Sequence, residues 1–176
     1  MPSLEMKAAE YVDPKSELPI QGKTPDEIFY EYGPLVNVEV RAESENDNPG
    51  SLVASGYALL DTGAGKTSIM HSIIGQINAH HVGQETEWGA FTDAVQVQTF
   101  QVYVKLIDLD LEYSSHASSL NITRLLNKGI IAIIGRDLLQ HCILNLNGPN
   151  ASFTLSYPDS PPDFQNLENL DHLELP

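Results

Sequence analysis

The segment Leu59-Leu60-Asp61-Thr62-Gly63-Ala64 constrains this chain more than any other, because it ends an apolar run abruptly at a carboxylate. Ala58, Leu59 and Leu60 read as the end of a strand, so Asp61 falls at the floor of a cleft with restricted water, a place suited to general acid/base work. Thr62 offers a hydroxyl to a neighbouring backbone group, and Gly63, with no side chain, lets its amide approach the carboxylate closely. Aspartate and glycine also make ordinary turns in any protein, so the tripeptide needs a companion. The companion is Ile133-Ile134-Gly135-Arg136-Asp137-Leu138-Leu139, where a second apolar run ends in glycine and a short helix, with Gly135 placed 74 residues after Asp61.

The surrounding pattern is that of one all-β domain with one or two short helices. Leu35, Val36, Val38 and Val40 read as a strand, Glu43 to Gly50 as a turn cluster, and Leu52 to Leu60 as a second strand antiparallel to the first. Ile69, Ile73, Ile74 and Ile77 recur near a four-residue spacing and predict a short helix. Val95, Val97, Val102, Val104 and Leu106 alternate with polar neighbours, predicting a half-buried strand, with Trp88-Gly89-Ala90 at a hairpin tip before it. Asp108 to Lys128, with Ser114, Ser115, Ser118 and Ser119, reads as an inserted loop, and the wholly apolar Gly129 to Ile134 as a strand buried on both faces. Arg136 to His141 suits a short helix, and Ile143 to Leu146 with Phe153 to Tyr157 a closing hairpin through Asn147-Gly148-Pro149-Asn150. The domain therefore runs over 33–157, preceded by an arm over 1–32 that wraps it or stays mobile and followed by an acidic, Pro-rich tail over 158–176, expected to be mobile.

Charge and composition exclude several functions. With 9 basic and 24 acidic residues and a net charge of −15, the chain lacks the basic face that phosphate backbones require, so nucleic acid is not an expected partner. The single Cys142 permits no intramolecular disulfide and reads as a buried thiol, which fits a reducing compartment. No basic segment followed by an apolar one opens the sequence and no run approaches a membrane span, so the expectation is a cytoplasmic protein with no membrane partner. Thr62-Gly63-Ala64-Gly65-Lys66-Thr67-Ser68 imitates a phosphate-binding loop, but Leu60 stands where that loop needs its first glycine. His80 and His81 are adjacent and would point to opposite faces of a strand, so they cannot share a metal; no metal or cofactor is expected.

With Ala58 to Ile69 and Ile131 to Leu139 in this order, and a flap-like segment between them, the chain resembles the retropepsin family, the single-domain dimeric aspartic proteases of retroviruses and their cellular and bacterial relatives. The resemblance covers roughly Gly33 to Tyr157 and implies an acid protease barrel with one lobe per chain. It makes Asp61 the catalytic aspartate and Thr62 and Gly63 the rest of its triplet, with Thr62 gripping its counterpart in a second chain. Ala64, Gly65 and Ile134 would contact a bound peptide, Glu87 to Phe91, including Trp88, Gly89 and Phe91, would form the flap over it, and Gly135 and Arg136 would support the catalytic loop. Because such chemistry needs two aspartates and the motif occurs once, the resemblance implies a homodimer whose paired carboxylates hold one proton between them and hydrolyse peptide bonds through an activated water. Retroviral members usually carry a carboxylate after the alanine that pairs with the arginine of the second motif, whereas Gly65 stands here and Arg136 must find another partner. The flap lacks the multiple glycines of viral flaps, and the length of Asp108 to Lys128 points toward the cellular or bacterial relatives. The alternative is a protease-fold module, catalytically weak or inactive, kept for dimerisation or peptide binding.

Overall fold

Alternating β-branched residues build a mostly β molecule, seen in a computed structural model that describes residues 2–13, 16–42, 52–87 and 94–158. Strand β2 (Leu35–Ala42) buries Leu35, Val36, Val38 and Val40 and pairs antiparallel with β3 (Val53–Leu60), Leu35 opposite Leu59 and Arg41 opposite Val53. Strand β8 (Ile130–Ile134) is buried at every residue. It lies parallel to β3 on one side, with Leu60 beside Ile134, and antiparallel to β4 (Ser68–Met70) on the other. A strand from late in the chain is thereby threaded between two that follow one another, which demands side chains apolar on both faces.

The sheet continues from β4 to β7 (Leu111–Leu120) and then to β6 (Val95–Leu106). Along its other edge β6 pairs first with β5 (His80–Glu87) and then with β2, Val102 reaching Ala42 and Leu106 reaching Val38. That last pairing closes the order β2-β3-β8-β4-β7-β6 into a six-stranded barrel, from which β5 and the start of β6 project as a hairpin. A smaller sheet of β1 (Ser3–Lys7), β10 (Ser152–Ser156) and β9 (Ile143–Asn147), in the order β1-β10-β9, packs beside it. The helices are short: α1 (Pro25–Tyr32), α2 (His71–Gln76), α3 (Thr123–Leu126) and α4 (Arg136–Leu139).

The structure corrects the reading of Asp108 to Lys128 as an inserted loop. Ten of its residues form β7, paired residue by residue with β6 from Leu106↔Leu111 to Thr99↔Ser118, and α3 follows. Its inward positions are Ser115, Ala117 and Ser118, small groups that fit a crowded barrel wall, and Ser118 Oγ meets Ser68 Oγ at 2.7 Å. Serines satisfied inside a barrel look like loop serines in sequence, and the comparison with cellular and bacterial relatives that rested on a long loop loses its basis. The stretch before residue 33 also holds regular structure: β1 pairs with β10, and α1 begins at a capping box in which Thr24 and Glu27 each accept from the other's backbone N–H, with Pro25 at the first helical position. Of the isoleucines assigned to one helix, Ile69 lies in β4, Ile73 and Ile74 form the buried face of α2, and Ile77 follows it. The expected turn cluster over 43–50 and the tail over 159–176 lie outside the described residues.

Tyr11 ties the N-terminal segment to the barrel. It is fully buried; its hydroxyl accepts the Leu35 N–H at 2.9 Å and donates to the Gly33 carbonyl at 3.0 Å, and burial pushes its pKa up to about 12. Replacing Tyr11 with Phe leaves both backbone groups without a partner, so urea unfolding should show a loss of about 1–3 kcal/mol at unchanged m-value. A loss below about 0.5 kcal/mol would mean that the segment is not part of the cooperative unit.

Candidate active site

The parallel pairing of β3 with β8 fixes where Asp61 begins its loop. The Asp61 N–H donates to the Ile134 carbonyl at 3.0 Å, one residue past the last pair of the ladder, and the Ala64 N–H turns back to the Asp61 carbonyl at 3.1 Å. Within that turn the Gly63 N–H donates to Asp61 Oδ1 at 2.8 Å. A Cβ on residue 63 would stand 3.0 Å from that same oxygen, so only glycine lets the amide sit over the carboxylate without a shift. Asp61 is half-buried, Thr62, Gly63 and Gly65 are exposed, and Ala64 is half-buried. Asp61 Oδ2 accepts no hydrogen bond among the described residues.

The second motif lies directly beneath. Gly135 crosses the backbone of Lys66 so closely that a Cβ would come within 2.3 Å of the Lys66 carbonyl carbon. The Arg136 N–H donates to the Ala64 carbonyl at 2.9 Å, and its guanidinium Nη1 donates to the carbonyls of Thr62 at 2.8 Å and Gly63 at 3.2 Å. The arginine thus grips the loop by its main chain. A Cβ at Gly65 would lie 3.8 Å from Arg136 Nη2, so the space opposite the arginine is open.

A polar knot that the sequence reading missed holds the two motifs together. Asp137 accepts the Thr67 N–H on Oδ2 at 3.0 Å, the Thr67 hydroxyl on Oδ1 at 2.9 Å and the Leu138 N–H at 3.0 Å. Thr67 is fully buried; its Oγ1 also lies 3.2 Å from the Tyr113 hydroxyl and accepts the Gly135 N–H at 3.4 Å. Burial drives the Tyr113 phenol far above its ordinary range, so it remains a neutral hydrogen-bonding group here. Lys66 pairs with Glu85 of β5, linking the base of the loop to the projecting hairpin. The carboxylate at 137, one residue past Gly135-Arg136, was the signal in the sequence, but its partner Thr67 is 70 residues away and nothing local marks it.

Ile134 needs correction as a peptide contact: its side chain is fully buried because β8 has neighbours on both edges and core on both faces, and its contribution is the carbonyl that holds Asp61. Trp88, Gly89 and Phe91 lie outside the described residues. His80 and His81 are exposed on β5, the latter edge-on to Phe100 at 5.3 Å. Cys142 is half-buried rather than fully enclosed, and burial raises its pKa. Among the described residues no cluster of three or more metal-ligating side chains occurs, and no helix is long and apolar enough to cross a membrane.

No protein-family profile matches the chain and no curated protein matches it. Among solved structures it is similar to the EIAV protease complexed with the inhibitor HBY-793, at 21% identity over 61% of this chain and 85% of that one, with a TM-score of 0.37. It is also similar to the retroviral protease-like domain of Ddi1 from Leishmania major, at 10% identity over 72% of this chain and 90% of that one, with a TM-score of 0.40.

Two substitutions test this geometry. Gly135 has a φ of −92° that any residue adopts, so Gly135→Ala fails for space alone and should cost about 3 kcal/mol or more in chemical denaturation. Gly65→Asp places a carboxylate opposite Arg136 Nη2 and should be tolerated, with a gain of at most about 1 kcal/mol because the pair is exposed.

Proposed function

We propose that this chain is a retropepsin-like aspartic endopeptidase that works as a homodimer, hydrolysing peptide bonds with a water held between Asp61 and Asp61 of the partner subunit. The observation that supports it best is the seating of Asp61: its backbone is hung on β8, the Gly63 amide lies on one carboxylate oxygen, and Arg136 clamps the carbonyls on either side of that amide. A carboxylate so held is preorganised and needs no rearrangement to act.

One carboxylate cannot both take a proton from water and give one to a carbonyl, and two facing carboxylates share a single proton because both cannot ionise easily. The ionised member removes a proton from the water, whose oxygen bonds to the scissile carbonyl carbon, while the protonated member donates to the carbonyl oxygen. Collapse of the resulting diol breaks the C–N bond as the amide nitrogen takes a proton, leaving a carboxylic acid and an amine. An extended peptide suits the site, its backbone adding a strand beneath the β5–β6 hairpin. Thr62 stands exposed at the loop tip, where it can bond to its counterpart across the two-fold axis.

A second reading, a protease-fold module that binds peptide without cutting it, draws on Gly65, which leaves open the space where retroviral relatives carry a carboxylate. Incubating a diverse peptide mixture with wild type and with Asp61→Asn from pH 4 to pH 7, and identifying products by mass spectrometry, separates the two. The peptidase reading predicts cuts within an acidic bell-shaped window, reduced by about 10²–10⁴-fold or to background in the variant. Folded, dimeric wild type that makes no cuts at any pH contradicts it.

A further inference from the structure

The β5–β6 hairpin has two unlike faces, and what they imply about the substrate rests on the paired-aspartate reading above. Lys66, which follows Gly65 directly, forms an ion pair with Glu85 of β5, so the face that carries Glu85 is the one turned to the catalytic loop. The ladder gives the rest of that face. Glu85 stands opposite Val97 and Glu87 opposite Val95, and residues two apart on a strand share a side, so these four lie together. The other face carries Gln84, Thr86, Gln96 and Gln98, all exposed and uncharged, with the Gln96 side chain donating to the Thr86 hydroxyl across it.

The two carboxylates on the loop side are not equivalent. Glu85 is balanced by Lys66. Glu87 Oε1 is enclosed by protein yet accepts no hydrogen bond among the described residues. An enclosed carboxylate oxygen without a donor is costly, so a donor brought by a ligand gains more there than on an open surface. Beside it Val95 is 51% exposed and Val97 is half-buried, an apolar strip with little cover from its own chain. A side chain with an aliphatic stem and a cationic head matches both features, the stem on the valines and the head on Glu87. The cations already at the loop are engaged, Lys66 with Glu85 and Arg136 Nη1 with the carbonyls of Thr62 and Gly63. The net charge of −15 adds a field that draws cationic peptides and opposes acidic ones.

We propose that Glu87, with Val95 and Val97, makes the cleft selective for peptides that carry Lys or Arg at a fixed position beside the scissile bond. An extended peptide running beneath the hairpin turns alternate side chains up toward it, and the basic one is received there. Two-fold symmetry supplies the same face on both sides of the cut, so a basic residue is accepted on either side. Glu87 selects the substrate, and Asp61 does the chemistry.

Peptides cut in the mixture experiment, varied one position at a time to Lys, Arg, Met or Glu, test this. At one position the Lys and Arg forms should show a kcat/KM at least about tenfold above the Met form. Glu87→Gln should bring that ratio close to one, and Glu87→Lys should turn the preference to the Glu form. Glu5→Gln removes the same charge from β1 and should leave the ratio unchanged; an equal loss in both variants would assign the preference to net charge and overturn the proposal. Binding is read apart from cutting by passing the mixture over immobilised Asp61→Asn, with and without Glu87→Gln, and identifying retained peptides by mass spectrometry. Cutting without a basic preference, or with one that Glu87→Gln leaves intact, overturns the selective face and leaves the peptidase standing. Retention of Lys and Arg peptides that Glu87→Gln abolishes, from a wild type that cuts nothing, supports the face and contradicts the peptidase. Neither cutting nor retention overturns both.

Discussion

The hydrogen bond from Asp61 to the Ile134 carbonyl is the contact on which the rest of the site depends, and it exists because β8 is threaded between β3 and β4. A strand paired on both edges and buried on both faces has one register, since a slip of one residue would move every packed side chain to the opposite face and shift two ladders together. That register sets the height at which β3 ends. It also delivers Gly135 and Arg136 beneath the loop that follows, where absence of a side chain at 135 allows the Lys66 backbone to pass and the guanidinium reaches two loop carbonyls. The local conformation around Asp61 is therefore a consequence of topology rather than of the tripeptide alone.

Beneath the loop, buried and half-buried polar groups form a connected set. The buried Thr67 and Ser115, the half-buried Asp137 and Tyr113, and the amides of Gly135 and Leu138 satisfy one another over a short span, so the Asp137 carboxylate is held by several donors. Arg136 completes the arrangement from outside by bonding to main-chain oxygens, so the loop is held without a carboxylate at position 65. The open space at Gly65 is therefore not a defect in how the loop is built.

Strands with a clear period were legible in the sequence. The alternating valines of β2 and β6, the solid apolar run of β8 and the buried residues of β10 all express burial directly. β7 was not, because its inward residues are serines and an alanine whose polarity is satisfied by neighbours far away in sequence. β1 is only five residues long, with Leu4 and Met6 its sole apolar alternation, too short to register as a strand. The capping box at Thr24 to Glu27 was readable and went unread among the prolines around it. At the site, Asp61 and its glycine stood out, since carboxylate and missing side chain are properties of residues. The partner of Arg136 did not, since carbonyl oxygens belong to every residue and carry no sequence mark.

The central claim is that two copies of Asp61 make one catalytic unit, and subunit mixing measures it most directly. Wild type and Asp61→Asn are mixed in equal amounts, allowed to exchange subunits, and assayed at the same total concentration as wild type alone. If both aspartates are required, only the dimers with two intact copies cut, and activity falls to about one quarter of the wild-type value. Activity of about one half would mean that each chain acts by itself, and would contradict the shared site.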